Sequence, residues 1–187
     1  MARTLRSTLV FLAAALALAG TAQAAGGDYV IEGGSAEAQA TVRAALDASR
    51  FDFDRVPARI TIRISGCGCA GAQPGLIVLD ESVLVDDSLG EKYSWGLIQH
   101  EYAHQIDYFL LQDDDRASVR RVLGGKDWCY EKMGLAHDQH GCERLADVVS
   151  WAFWPTQDNV LRSDARTIAP DMAAWSARRF VNRLLSD

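Results

Sequence analysis

His100-Glu101-Tyr102-Ala103-His104 sets two imidazoles four residues apart, with a carboxylate beside the first. On an α-helix that spacing leaves the histidines about 40° apart on one face, where both can reach a single metal ion. Glu101 then sits beside the water that such an ion would carry. The pattern is HExxH, the signature of a zinc site in which the glutamate is the general base. The expected chemistry is hydrolysis, with His100 and His104 as ligands to one zinc ion per chain and Glu101 as the catalytic residue.

The residues around the motif support a helix. Trp95, Ile98, Tyr102, Ile106 and Phe109 form an apolar stripe at helical spacing, and the two histidines fall nearly opposite it. One face can pack on a core while the other presents ligands. Zinc bound by two histidines needs a further protein ligand, with a position left for water. A metzincin would continue HExxHxxGxxH, but the glycine and histidine positions here are Asp107 and Leu110, and leucine cannot ligate zinc.

A later stretch offers carboxylates. Glu143 and Asp147 are again four apart, on one face of a helix expected at 143–154, with Leu145, Val148, Val149 and Ala152 opposite. Trp151 and Trp154 share the acidic side, which suits a face turned to a cleft better than one turned to water. HExxH followed by ExxxD on a later helix resembles the gluzincins, the thermolysin-like branch of zinc peptidases. The resemblance covers residues 100–147 and rests on these two motifs. It implies a zincin-like fold, with Glu143 as third zinc ligand and Asp147 behind a zinc-bound histidine, orienting it through a hydrogen bond. It also implies a peptide or protein substrate, added in extended form along an edge strand at 76–79. The chain departs from thermolysin in having no room for the large helical C-terminal domain, so it looks like a minimal, single-domain form. The oxyanion must then be met by zinc and by His140, His137 or Tyr130, all from the segment before Glu143; His140 is also the rival third ligand.

The rest of the chain reads as an α+β domain spanning residues 25–187, with a short mixed or antiparallel sheet, an edge strand next to the HExxH helix and a mostly helical C-terminal half. A short strand at 28–31 precedes a helix capped by Ser35 and running to about 48, with Val42, Ala45 and Leu46 inward. Ile60, Ile62 and Ile64 alternate with Arg59, Thr61 and Arg63 as in a half-buried strand. A second strand follows at 76–79, then a loop or short helix over 80–90. Asp113-Asp114-Asp115 reads as the N-cap of a helix ending at Gly124-Gly125, not as a calcium loop, because it lacks spaced oxygen ligands. Residues 126–142 are irregular. Two helices, 143–154 and 170–185, close the chain, one stopped by Pro155 and the other opened by Pro170.

Residues 1–24 read as a secretory signal peptide: Arg3 and Arg6, an apolar run too short to span a bilayer, and a small-residue cleavage site at Ala22-Gln23-Ala24. The net charge of −6 becomes more negative once the two arginines leave, which argues against nucleic acid or an anionic membrane as partner. The expectation is a secreted, monomeric protein. Cys67, Cys69, Cys129 and Cys142 read as two disulfides in an exported chain. Of the three possible pairings, the tight ring of a Cys67–Cys69 bridge favours tying both to Cys129 and Cys142. A four-thiolate zinc site does not match the spacing. Two other functions fit the same residues: an exported binding or regulatory module with a structural or vestigial metal, closed for instance by His100, His104, His140 and Glu143, and a zinc hydrolase acting on a non-peptide amide.

Overall fold

Alternation in Ile60–Ser65 (β2) puts Ile60, Ile62 and Ile64 into the core, while Arg63 is exposed. The computed structural model describes residues 27–89, 92–169 and 172–186, so the expected signal peptide at 1–24 and Pro170 lie outside the described residues. Tyr29–Gly33 (β1) runs parallel to β2, joined to it through the helix Ala36–Ala48 (α1). Ser35 caps α1 by accepting from the Ala38 N–H, and Ala38, Val42, Ala45 and Leu46 are its buried face. On the open side of the sheet Arg59 pairs with Asp28 at 2.9 Å and Arg63 with Glu32 at 3.2 Å. These solvated pairs add little stability but keep that face polar.

Leu76–Asp80 (β4) lies parallel to β2 on its other side, and Gly71–Gln73 (β3) pairs antiparallel with β4, giving the order β1-β2-β4-β3. The sheet is mixed, and its edge strand beside the HExxH helix is β3. The strand expected at the edge is therefore interior: the Pro74-Gly75 turn folds β3 back over it. Gly75 has φ +77 with open space where a Cβ would sit, so the turn conformation alone selects glycine there.

Asp80 caps the helix Glu81–Val85 (α2) and also accepts from the Gly68 N–H. That second bond holds the GCGCAG turn against the end of β4. The two disulfides are Cys67–Cys69 and Cys129–Cys142, which corrects the expected cross-pairing. Each closes locally because the backbone brings its partners together. The Gly141 and Cys142 N–H groups donate to the carbonyls of Asp127 and Trp128 at 3.1 and 2.9 Å, drawing Cys142 beside Cys129. Two disulfides suit an oxidising, extracytoplasmic setting.

The helix Tyr93–Leu110 (α3) carries the HExxH motif and is enclosed on both faces from Ile98 to Asp107. Ile98, Tyr102 and Ile106 enter the core as the stripe predicts, with Trp95 and Phe109 only partly covered. Gln99 reaches across to the Ala45 carbonyl at 2.8 Å, fastening α3 to α1. The helix Asp113–Leu123 (α4) is capped by Gln112, not by an aspartate; Asp113, Asp114 and Asp115 fill its first turn, where the helix dipole favours acids. Arg116 and Trp128 both grip Asp107, at 2.9 and 3.1 Å, joining α4 and the irregular segment to α3.

Gly141–Phe153 (α5) is buried along almost its whole length. Three helices rather than two close the chain: α5, then Arg162–Ile168 (α6) and Ala174–Leu184 (α7). No helix among the described residues is long and apolar enough to cross a membrane.

Candidate metal centre

The packing of α5 against α3 makes the site. Residues at four-residue spacing on each helix turn towards the other, so the acidic face of α5 meets the histidine face of α3 instead of water. His100, His104, Glu143 and Asp147 are each 4–6% exposed. The Glu143 Oε2 atom lies 3.0 Å from His100 Nε2 and 3.3 Å from His104 Nε2. These three donors lie within 4.8 Å of one another, a group that could hold a metal ion. On the far side of its ring, His100 Nδ1 lies 2.9 Å from Asp147 Oδ1. His104 Nδ1 is buried with no hydrogen-bond partner among the described residues.

The charges agree with this arrangement. Burial works against a charged His100, but hydrogen bonds to Asp147 and Glu143 outweigh it and raise its pKa to about 10. Glu143 behaves in the opposite sense: burial would raise its pKa, and the hydrogen bonds from His100 and His104 hold it well below the carboxylate range. Glu101 is raised, first by burial and then by Glu143, against the pull of the two imidazoles. Without an ion, His100 faces a carboxylate oxygen at each ring nitrogen and needs both protons to satisfy them, the cationic form that its raised pKa describes. A divalent cation in place of the Nε2 proton meets the Glu143 oxygen and the Nε2 lone pairs of both histidines together. Two imidazole nitrogens and one carboxylate oxygen, with a carboxylate behind one histidine, fit such an ion in donor type and in supporting shell. Replacing Asp147 with alanine is expected to weaken metal affinity about 10- to 100-fold without unfolding the chain, checked by competitive chelator titration alongside circular dichroism.

Two cavities flank the group, and Ala70, Glu101 and His137 line both. The larger, about 680 Å³, extends past Leu97 to Leu161 and Ile168. The smaller, about 250 Å³, runs between the β3 edge and Tyr130. Residues 70–72 and the segment 126–142 supply two walls of the cleft, and α6 adds a third that the sequence analysis did not anticipate. Leu161, Ala165 and Ile168 have the helical spacing that would have marked it. Tyr108 and Gln105 were also missed, although they continue the four-residue series of His104 and Glu101. Tyr108 donates to the Ala72 carbonyl at 3.0 Å; Gln105 accepts from the Gly75 N–H at 2.9 Å and donates to the Gln73 carbonyl at 3.0 Å.

The three residues considered for the oxyanion separate clearly. His140 is buried, its Nδ1 2.6 Å from Asp127 Oδ1, and it is neither in the metal group nor among the residues lining the two cavities. Tyr130 is 59% exposed and lines the smaller cavity. Burial of its hydroxyl and the nearby Glu143 charge raise its pKa to about 12, so it stays a donor. His137 Nε2 lies 3.1 Å from the same Glu143 oxygen that faces His100 and His104. Compared with known protein families, with curated proteins and with solved structures, the chain matches none, so any reading of its function rests on this geometry.

Proposed function

We propose that the chain is an exported, zinc-dependent peptidase, a minimal gluzincin-like enzyme. The observation that carries this reading is the convergence of His100, His104 and Glu143 at the floor of a cleft that Glu101 also lines. A zinc ion held by those three side chains supplies a Lewis acid that polarises a carbonyl and lowers the pKa of a water. The Glu101 carboxylate accepts the proton of the attacking water and returns it to the leaving nitrogen. Asp147 accepts from His100 Nδ1 and so fixes the tautomer whose Nε2 lone pair faces the metal. Peptide fits the cleft because its smaller half is bounded by Ala70, Gly71 and Ala72 at the edge of the sheet, where an extended chain can add alongside β3. That edge is short, and Tyr108 already holds the Ala72 carbonyl, which limits pairing to a few residues.

The test compares zinc content and peptidase activity of the mature chain with those of Glu143→Ala. Wild type should carry about one zinc and cleave an unfolded protein labelled with a quenched fluorophore. The variant should lose affinity by more than the roughly 10- to 100-fold cost of an outer partner, and activity with it. Equal zinc in both would move the third ligand elsewhere, and a wild type that takes up no zinc when supplied would end the reading.

A further inference from the structure

His137 is a polar side chain of the cleft outside the triad, and it lines both cavities. It opens the single 3₁₀ turn His137–Gln139 in the irregular segment before α5, and its side chain is 62% exposed, against 5–7% for His100, His104 and Glu143. Even so, its Nε2 comes as near to Glu143 Oε2, 3.1 Å, as do those of the two helix-borne histidines. Its ring stacks on that of His100 with centroids 5.8 Å apart. Its other nitrogen, Nδ1, lies 2.7 Å from the Tyr130 hydroxyl.

That hydroxyl is itself carefully placed. Tyr130 has φ 57, the one non-glycine residue with positive φ among those described, a conformation that persists only where the surroundings impose it. Here they do: the Tyr130 nitrogen lies 3.1 Å from His140 Nδ1, its ring lies on the His140 ring with centroids 4.0 Å apart, and Cys129 next to it is tied to Cys142. The strained residue therefore presents its hydroxyl to His137, in the position where a metal-bound histidine usually finds the partner that orients it.

We infer that His137 is a fourth, exchangeable protein donor to the metal. It closes the site when the cleft is free of substrate and gives up its place to an incoming ligand. The inference rests on the zinc reading of the triad. His100, His104 and Glu143 sit on two packed helices and stay put, whereas His137 is attached through an exposed turn and is the donor that can leave. His137 lines both cavities, about 680 and 250 Å³, as does Glu101, so its departure widens the space beside Glu101 on each side.

Cobalt(II), with its visible ligand-field bands, is the probe. Cobalt-loaded wild type, His137→Ala and His137→Gln would be compared, with folding checked by circular dichroism. Glutamine can still donate a hydrogen bond to Glu143 but replaces imidazole poorly as a ligand. Both variants should show shifted, weaker bands, and zinc affinity lower by about 10- to 100-fold, the range for losing a supporting residue of a metal site. Added imidazole should restore the wild-type spectrum to His137→Ala. Excess acetohydroxamate should bring wild type and His137→Ala to one common spectrum, because His137 has then left the metal in wild type and is absent from the variant. An unchanged spectrum in His137→Ala, or wild-type behaviour in His137→Gln, would show that His137 only hydrogen-bonds Glu143 and would overturn the inference while leaving the triad intact. Different end spectra in acetohydroxamate would overturn its exchange. A wild type that binds no cobalt would remove the triad reading and this one together.

Discussion

Glu101→Gln is expected to keep its full complement of zinc and to lose turnover by about 10²- to 10⁴-fold, the usual contribution of a positioned general base. The reasoning is geometric. Glu101 lies between the two histidines in sequence but is not part of the donor group, and it lines both halves of the cleft. Its carboxylate is buried, and burial raises its pKa, so it is a better proton acceptor than a solvated glutamate. Glutamine has the same shape and can still hydrogen-bond, yet it cannot take up a proton. Removing a buried charge also lowers a desolvation cost, so the variant should be at least as stable as wild type. Zinc analysis, thermal unfolding and initial rates on one preparation check all three statements. Robust turnover by Glu101→Gln would remove Glu101 from catalysis even if zinc binding were unchanged.

Replacing Cys129 and Cys142 together with serine should cost about 3 kcal/mol of stability, the chain-entropy value for a loop of that length. The sequence separation is 13. For a chain of this size that corresponds to a fall in melting temperature of about 6–12 °C. The Cys67–Cys69 bridge, with a separation of 2, closes a much smaller loop and should matter less. Scanning calorimetry of the two double variants, each compared with wild type, measures the contrast. The effect on the metal centre should be uneven. His100, His104 and Glu143 are placed by α3 packed on α5 and should retain the ion. Tyr130 adjoins Cys129, so the Tyr130–His137 contact should be the first part of the site to loosen. Equal stability loss from the two bridges would mean that loop entropy is not what the Cys129–Cys142 bridge supplies.

Much of this arrangement could be read from residue spacing, where one element fixes the geometry by itself. The alternation of Ile60, Ile62 and Ile64, the Ser35 cap and the four-residue intervals in α3 and α5 are local patterns, and each appears as expected. His100, His104, Glu143 and Asp147 come together because two such faces pack on each other. The readings that failed depended on partners distant in sequence or on competition between nearby ones. Nothing in Leu76–Asp80 alone says that a three-residue strand will fold back and cover it. The disulfide pairing followed from backbone bonds between 127–128 and 141–142, which no cysteine spacing reveals. Gln112 took the cap that three aspartates seemed to offer, because Asp115 serves the helix better one turn in, accepting from the Gln112 N–H at 2.8 Å. His137 and His140 are equally plausible ligands by residue type; Asp127, ten residues upstream of the nearer one, takes His140 out of contention.

Gln105 gives the cleft its mechanical character. One side chain bonds the Gly75 N–H and the Gln73 carbonyl, and it stands next to His104 on the same helix. The sheet edge is thus pinned to the very rod that carries two of the ligands, and the distance from β3 to the metal group is set by covalent geometry plus three hydrogen bonds, counting that from Tyr108. The opposite wall hangs instead from the start of α5, through the Cys129–Cys142 bridge and a short ladder of backbone bonds. One jaw is a fixed anvil and the other sets the clearance. The bore of the smaller cavity, and with it the bulk of what can be gripped there, is therefore written in residues 126–142 rather than in the sheet.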